Sequence, residues 1–281
     1  MKRTLLFLTN LGNGSEKEDI FLSNFLRKHF NVFVAHPVDA LEWEGQFDLV
    51  LVRNVWPTYE YRQYKTGIIR KLVKNGRIGK SSVEAGYLKK PKYLEKEYIL
   101  ELFYKGFPVI PTVDRRSNLE QLGNTSEYFI KPKDRCDGIG TARISRQKLL
   151  CTNNITNCLI QPFLRFDYEV SFFFVDNRFI QAFQTPHRLK HRNFQIYKPS
   201  KNDLAFASKF VEWNDLPFGL QRIDAIREKR TGQLMLTEIE DFGPYLFILE
   251  LPESYQNKII SAITQSLFRQ LTRKRFTPKS S

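Results

Sequence analysis

The chain has 281 residues, of which 42% are hydrophobic and 26% charged, and its formal net charge is +14. This length and apolar content exclude an intrinsically disordered chain and allow two or three compact lobes with a substantial core. No segment approaches the roughly 20 consecutive apolar residues needed to cross a bilayer, which excludes a membrane protein.

The first segment predicts a parallel α/β lobe over residues 1–86. Residues 5–8 are apolar, but this run is too short for a signal peptide and predicts a buried strand instead. Strands and helices then alternate, as in parallel sheets with helical crossovers. The glycine-containing loop at 10–15 lacks the third glycine of a dinucleotide fingerprint and is better interpreted as a plain turn. The predicted elements are strands at 4–9, 31–36 and 47–53 and an amphipathic helix at 16–29.

The next segment, residues 87–158, predicts a central lobe of mixed α/β structure. A helical pattern over 92–104 ends at Gly106 and Pro108, which stop helices. Two short strands between 127 and 145 flank a loop at 134–140. Polar residues 152–157 then predict a connection to the last lobe, residues 159–281.

Two hairpins and a long helix are predicted in the last lobe. The first hairpin pairs residues 168–175 with 178–184 and turns at Asp176-Asn177, because Asn and Asp tolerate positive φ angles. The second pairs residues 220–227 with 233–240. A helix over 253–271 closes the chain, with apolar residues repeated along one face.

The second hairpin carries an acidic cluster. Residues two apart in a strand share a face, so Arg222 projects with Asp224 and Glu238 projects with Glu240. Folding the hairpin places Asp224 within about one position of lying opposite Glu238. Such hard oxygen ligands suit Mg²⁺ or Mn²⁺ bound together with substrate phosphates. The alternative is an exposed hairpin with ordinary solvated acids.

A lysine and a glycine loop favour the phosphate interpretation. Lys131 ends the aromatic and β-branched strand 127–132, where a lysine is not expected to be buried unless it meets an anion. Gly138 and Gly140 follow within ten residues, close enough for backbone N–H groups to cover a phosphate. We therefore expect a phosphate group to bind together with Mg²⁺ or Mn²⁺ between these elements.

The order of these motifs resembles the ATP-grasp superfamily, especially the branch resembling bacterial glutathione synthetase and cycloserine synthetase. The resemblance spans residues 87–247 and implies an ATP-grasp fold, with an N-terminal α/β lobe and two lobes that clasp the nucleotide. The matching stretches are YLKKPKYL at 87–94, VIPT at 109–112, IKP at 130–132, QPFL at 161–164, YEVS at 168–171, QRID at 221–224 and EIEDFGPYLF at 238–247.

The resemblance also implies the site residues. Lys92 and Lys131 would hold the α- and β-phosphates, and Glu169 would lie near the ribose. Arg222 would act beside the transferred phosphoryl group. The hinge that meets adenine would be Gln161, Phe163 and Leu164, and the metal ligands would be Asp224, Glu238 and Glu240.

The implied function is an ATP-dependent carboxylate–amine ligase that works through an acyl-phosphate and releases ADP and phosphate. Its partners would be a small carboxylate and an amine, such as amino acids or a peptide. The candidates for binding the substrate carboxylate are His187, Arg188, Arg192 and Gln195, although a solvated basic loop explains them equally well.

Two other functions fit the same residues. One is an ATP-grasp small-molecule kinase, and the other is a basic nucleic-acid or peptide-binding protein with a degenerate nucleotide pocket. Nucleic acid is disfavoured because Lys and Arg are spread along the chain and no zinc-finger or RNA-binding signature is present. Three cysteines, an odd number without metal-like spacing, indicate a reducing compartment, and we expect a cytoplasmic protein.

Overall fold

The structure is a computed structural model that describes residues 2–10, 16–37, 39–41, 47–54, 96–135, 138–152, 155–186, 194–216, 218–241 and 243–272. Within these ranges the helices and strands are numbered in chain order as α1 to α5 and β1 to β11. The strands form three sheets. This mixture of helix and strand confirms the predicted α/β class.

The first sheet is parallel, as the sequence predicts. All of β3 and every residue of β1 after Thr4 are buried, as expected for parallel strands that are covered on both faces. The predicted helix ends three residues earlier than expected, at Leu26. The elements are β1 (Thr4–Leu8), α1 (Glu16–Leu26), β2 (Asn31–Ala35) and β3 (Leu49–Val52), in the sheet order β2-β1-β3.

The second sheet is antiparallel, in the order β5-β4-β6. Its strands β4 and β5 flank the loop at 134–140, as predicted. The preceding helix begins at Tyr98, after a turn at Lys96 and Glu97, whereas the sequence pattern predicts it from residue 92; residues 91–95 lie outside the described residues. The elements are α2 (Tyr98–Tyr104), a 3₁₀ helix (Arg116–Leu122), β4 (Glu127–Pro132), β5 (Ala142–Ser145), α3 (Arg146–Cys151) and β6 (Cys158–Pro162).

Strand β6 differs from its predicted position in the lobe order. Residues 158–162 pair with β4 in the second sheet, whereas the predicted last lobe begins at residue 159. A polar stretch in a sequence marks a connection, but the partner of the following strand depends on tertiary contacts. The chain therefore passes from the second sheet to the third at residues 163–165.

The third sheet is antiparallel, and both predicted hairpins are found in it. The first turns at Asp176 and Asn177, which adopt φ angles of 51° and 61°. This left-handed backbone is the one that two-residue hairpin turns require. The strands are β7 (Phe166–Val175), β8 (Arg178–Pro186), β9 (Gln195–Tyr197), β10 (Leu220–Glu228) and β11 (Leu234–Glu240), in the order β11-β10-β7-β8-β9.

Two helices cover opposite faces of the third sheet. Helix α4 (Lys201–Asn214), which the sequence pattern did not predict, begins with a capping box between Ser200 and Asp203 and packs against β7 and β10. Helix α5 (Glu253–Thr272) matches the predicted closing helix. Its apolar face shares a core with the first sheet. The first and third sheets are therefore held together by buried apolar contacts.

Among the described helices, none combines the length and the apolar character needed to cross a lipid bilayer.

Candidate functional site

The last hairpin brings its acidic residues together. Asp224 lies opposite Glu238, and Arg222 lies opposite Glu240. The three carboxylates are only partly exposed, with 17% of the Asp224 side chain and 31% of each glutamate side chain open to solvent. Like charges at this spacing repel one another unless cations neutralise them.

A β-bulge sets this register. Ala225 pairs with Leu236, and an uninterrupted register would place Asp224 opposite Thr237. The pairing shifts between Asp224 and Ala225, so that Asp224 faces Glu238 instead. Bulges of this kind re-aim side chains and are common next to active sites.

Arg222 is the counter-ion of two of these carboxylates. Its Nε and Nη2 donate to the two Asp224 oxygens at 2.9 Å each, and Nη2 also lies 2.5 Å from Glu240 Oε1. Its Nη1 donates to Tyr245 O at 2.7 Å. Burial acts to lower the pKa of Arg222, but Asp224 and Glu240 outweigh this effect and raise it. The guanidinium therefore stays charged.

Strand β7, which lies next to β10, adds two polar residues on the same face. Ser171 lies opposite Asp224, and its hydroxyl donates a hydrogen bond to Asp224 Oδ1 with an oxygen–oxygen distance of 2.6 Å. Glu169 is two residues away on this strand and keeps access to solvent. Desolvation of its carboxyl raises the pKa of Glu169, Asp224 raises it further, and Lys131 acts to lower it.

Two lysines approach these acids from outside the hairpin. Lys96 lies just before α2, and its Nζ is 2.8 Å from Glu238 Oε1. Lys131 lies near the end of β4. Burial lowers the pKa of Lys131, Glu238 opposes this shift, and Lys96 adds to it because the two ammonium groups repel. Hence charges from the second sheet and the third sheet meet. We call the following residues the charged cluster: Lys96, Lys131, Glu169, Arg222, Asp224, Glu238 and Glu240.

Lys96 is a member of this cluster that the motifs did not identify. Residues 87–96 contain four lysines, and the resemblance points to Lys92, which lies outside the described residues. Nothing in the local sequence separates Lys96 from the other three. Only the structure shows that Lys96 lies two residues before the start of α2 at Tyr98, because the sequence pattern predicts this helix from residue 92.

The loop at 134–140 is joined to the charged cluster at its base. Lys96 Nζ donates to Arg135 O at 2.7 Å, and Lys96 N donates to Lys133 O at 3.0 Å. Gly138 and Gly140 are exposed and have φ angles of 71° and 76°. Residues 136 and 137 lie outside the described part of the loop.

The predicted hinge residues lie where the chain passes from the second sheet to the third. Gln161 is buried, and its Nε2 donates to Thr112 Oγ1 at 2.8 Å. Phe163 is covered by Arg143, whose guanidinium carbon is 3.9 Å from the centre of the ring. Leu164 is partly buried beside it. These residues therefore line the connection between the two sheets that carry the lysines and the acids.

The carboxylate oxygens of the charged cluster are of the type that binds Mg²⁺, although three of these acids are already paired with Lys96 or Arg222. Among the described residues, no three His, Cys, Asp or Glu side chains stand in a ready metal-coordinating group. Glu238 is paired with Lys96, and Arg222 bridges Asp224 and Glu240. All three acids offer the hard oxygens that Mg²⁺ prefers. A metal would replace the ammonium and guanidinium as their counter-ion.

A buried ion-pair network joins the first sheet to the loop after β11. Arg53, which follows β3, lies 2.7 Å from Glu18 and donates to Pro244 O at 2.7 Å. Glu18 accepts from Leu246 N at 2.9 Å. Burial raises the pKa of Glu18, and Arg53 acts to lower it. The same loop carries Tyr245 O, which accepts from Arg222 of the charged cluster. The contacts of Arg53 and Glu18 with this loop therefore help to hold the partner of Arg222 in place.

Three candidates for binding the substrate carboxylate, His187, Arg188 and Arg192, lie outside the described residues. The fourth, Gln195, is exposed on β9, and its Oε1 accepts from Gln184 Nε2 at 3.0 Å.

Comparison with known proteins gives matches only in structure. No protein-family model matches the chain, and no curated protein sequence matches it. A crystal structure of a D-cycloserine synthetase superposes with a TM-score of 0.72 at 19% identity, covering 94% of this chain and 99% of that chain.

Two further solved structures agree over nearly the whole chain. A RiPP-associated ATP-grasp ligase from Chryseobacterium gregarium, in complex with ADP and a leader and core peptide, has a TM-score of 0.69 at 13% identity and covers 99% of this chain and 100% of its own. A D-alanine–D-alanine ligase from Bacillus anthracis complexed with ATP has a TM-score of 0.65 at 11% identity and covers 96% of this chain and 98% of its own. The chain therefore has the ATP-grasp fold, as the resemblance implies.

Proposed function

We propose that this chain, which has the ATP-grasp fold, is an ATP-dependent carboxylate–amine ligase that works through an acyl-phosphate. The observation that carries the proposal is the charged cluster, in which lysines from the second sheet and the start of α2 meet acids from the third sheet. A site with both signs of charge can bind a metal ion and a polyphosphate together. Structural likeness below 20% identity supports the fold, and the cluster supports the chemistry.

The nucleotide would lie between the second and third sheets. Adenine would meet the hinge at Gln161, Phe163 and Leu164, and the ribose would lie near Glu169. Lys131 and Lys96 would hold the phosphates, together with Lys92, which the resemblance predicts for this role and which lies outside the described residues. Lys96 now pairs with Glu238 at 2.8 Å, so it needs only to exchange one anionic partner for another when phosphate arrives.

Asp224, Glu238 and Glu240 would hold Mg²⁺, or Mn²⁺ in its place. A bound divalent ion would neutralise phosphate charge and orient the phosphoryl group that is transferred. Ser171 would fix the orientation of Asp224 through the 2.6 Å hydrogen bond from its hydroxyl. Hydrogen bonds of this type to a ligating carboxylate tune the affinity of metal sites.

The reaction would proceed in two steps. A carboxylate oxygen of the substrate attacks the γ-phosphorus of ATP, the bond between this phosphorus and the bridging oxygen breaks, and ADP leaves. The amine then attacks the carbonyl carbon of the acyl-phosphate, phosphate leaves, and the nitrogen loses a proton. Arg222, Lys96 and Lys131 would stabilise the negative charge on the transferred group. Positioning and charge, rather than a protein nucleophile, would therefore supply the catalysis.

We expect the substrates to be amino acids or peptides and the reaction to take place in the cytoplasm. The similar solved structures include a D-alanine–D-alanine ligase and a RiPP-associated ligase in complex with a leader and core peptide.

The proposal is tested by screening for ADP release with amino acids and dipeptides at fixed Mg²⁺. A ligase releases free phosphate only when carboxylate and amine are both present, whereas a kinase accumulates a stable phosphorylated product. Glu238→Ala should abolish turnover and leave the fold intact, because it removes a metal ligand that is 31% exposed rather than a packing group. Glu212→Ala, which removes an exposed acid of α4, is the matched control and should keep full turnover.

Unchanged turnover in Glu238→Ala would discard the metal assignment. Absence of ADP release with every carboxylate–amine pair, together with absence of nucleotide binding, would discard the ligase.

A further inference from the structure

The strand that carries Glu238 and Glu240 is the end strand of its sheet. Strand β11 pairs only with β10 within the third sheet, so its outer edge needs other partners for its backbone groups. At Leu236 these partners come from the segment after α2, since Leu236 N donates to Pro108 O at 2.9 Å and Ile110 N donates to Leu236 O at 3.3 Å. The edge at Leu236 is therefore covered by main chain.

At Ile239 the edge is covered by a side chain instead. Ile239 N donates to Tyr98 Oη at 2.7 Å, and Tyr98 Oη makes a longer hydrogen bond of 3.4 Å to Ile239 O. Tyr98 is 6% exposed, and its ring lies beside Trp213 at 6.1 Å between centroids. The hydroxyl thus takes the place of a neighbouring strand at the residue between Glu238 and Glu240.

The β-bulge explains why a hydroxyl is needed at this point. Along a regular strand the outward N–H groups recur every second residue, but Leu236 and Ile239 are three residues apart and both donate outward. The register shift at Thr237 changes this alternation. The bulge that brings Glu238 opposite Asp224 therefore also turns Ile239 N outward at a position where a regular register with the segment after α2 would have no partner for it.

Helix α2 holds the same stretch of β11 at two points. Lys96 precedes this helix and contacts Glu238, and Tyr98 is its first residue and contacts Ile239. The two contacts are 2.8 Å and 2.7 Å long. Burial, reinforced by Glu238, raises the pKa of Tyr98 well above its usual range, so its hydroxyl keeps its proton at neutral pH.

We propose that Tyr98 is a positioning residue, whose hydroxyl pins the outer edge of β11 so that Glu238 and Glu240 keep a fixed place relative to Lys96. Its effect on metal–nucleotide binding rests on the proposed function, but the pinning of the strand does not. Tyr98 touches neither substrate nor metal in this assignment. It acts through the backbone of Ile239.

The test compares Tyr98→Phe with Tyr128→Phe. Tyr128 is likewise a buried tyrosine, on β4, and its hydroxyl has a weak contact of 3.5 Å with Arg146 on the side away from the charged cluster. Each substitution removes one buried hydroxyl and keeps the ring. Both variants should fold, and melting temperatures show how much stability each one loses.

Two readouts separate positioning from general stability. The first is amide hydrogen exchange at residues 238–240, which needs no ligand. The second is the Kd for Mn²⁺ in the presence of a non-hydrolysable ATP analogue. We expect Tyr98→Phe to speed exchange at Ile239 and to weaken Mn²⁺ binding by about tenfold each, with no such change in Tyr128→Phe.

Each outcome decides the inference. Unchanged exchange at Ile239 in Tyr98→Phe would overturn it, and so would Mn²⁺ binding weakened equally in both variants. If the wild-type chain binds no metal–nucleotide at all, the proposed function fails, and the exchange measurement alone supports or overturns the pinning of β11.

Discussion

Gly243→Ala should be far more damaging than an ordinary glycine substitution. Gly243 lies in the loop after β11 and has a φ angle of 62°. A Cβ atom at this position would stand 2.3 Å from Arg53 O and 2.7 Å from Arg53 C. The neighbour is backbone at the end of β3, and Arg53 is held by Glu18 and Pro244, so it cannot move aside cheaply.

The expected loss is about 2–5 kcal/mol of unfolding free energy. Placing an L-residue in the left-handed region costs about 1–2 kcal/mol, and forcing a methyl group against fixed atoms adds about 1–3 kcal/mol. Gly232→Ala is the matched control, since Gly232 has a φ angle of 67° but no heavy atom within 4 Å of the added Cβ. Gly232→Ala should lose only the cost of the left-handed backbone, about 1–2 kcal/mol. The change in unfolded-chain entropy is common to both variants and cancels in the comparison.

Urea unfolding followed by tryptophan fluorescence measures both free energies. Gly243→Ala should have the lower midpoint, and the difference between the variants is the cost of the contact with Arg53. Equal losses in the two variants would refute the close approach of the first sheet to this loop. ADP release, measured well below the unfolding midpoint, should also fall in Gly243→Ala, because the loop carries the carbonyl that accepts from Arg222.

Three further predictions concern polar contacts. Desolvation acts to raise the pKa of Asp203, but hydrogen bonds from Arg227 and Ser200 outweigh it and lower this pKa from 3.8 to about 2. The charge of Asp203 therefore contributes about 2 kcal/mol of stability above pH 4, which is lost as pH falls through about 2. Asp203→Asn should be destabilised by this amount at pH 7, and urea titrations should show a smaller difference in unfolding free energy between wild type and variant at pH 3 than at pH 7. Ser171→Ala should weaken Mg²⁺ activation of ADP release about tenfold with little change in melting temperature, because the hydroxyl orients Asp224, and a pure stability loss would contradict this role. Asp176→Asn keeps a residue that tolerates its φ angle of 51° but loses the charge that pairs with Arg269 of α5, whose side chain is 43% exposed, so the unfolding free energy should fall by about 1 kcal/mol. Faster amide exchange at the end of α5 is the check.

Several parts of the fold follow from local sequence patterns. Asp176 and Asn177 adopt the left-handed turn that their side chains favour. The continuous apolar runs of β1 and β3 form a parallel sheet, as runs of this kind do when both faces are covered. Helix α4 was missed, although Ser200 and Asp203 form a capping box that the sequence displays. Local patterns do not reveal that strand β6 pairs with β4 of the second sheet, because strand pairing depends on distant residues.

The charged cluster, too, follows in part from local sequence patterns and in part from tertiary contacts. Alternation along the strands is enough to place Asp224 with Arg222 and Glu238 with Glu240, since side chains two apart share a face. Local patterns do not reveal that Lys96 contacts Glu238, because this contact depends on where α2 begins and how it packs.

By itself the sequence determined the types of element, the acidic hairpin and the order of motifs, because these are set by interactions between residues close in the chain. Only the tertiary structure decided the bulge that brings Asp224 opposite Glu238, the hydroxyl of Tyr98 on Ile239 N, and the contact of Arg53 with the loop after β11. These depend on backbone groups from segments far apart in sequence. Such groups have no signature in the residue types, since every residue carries the same N–H and C=O, and only packing shows which of them meet.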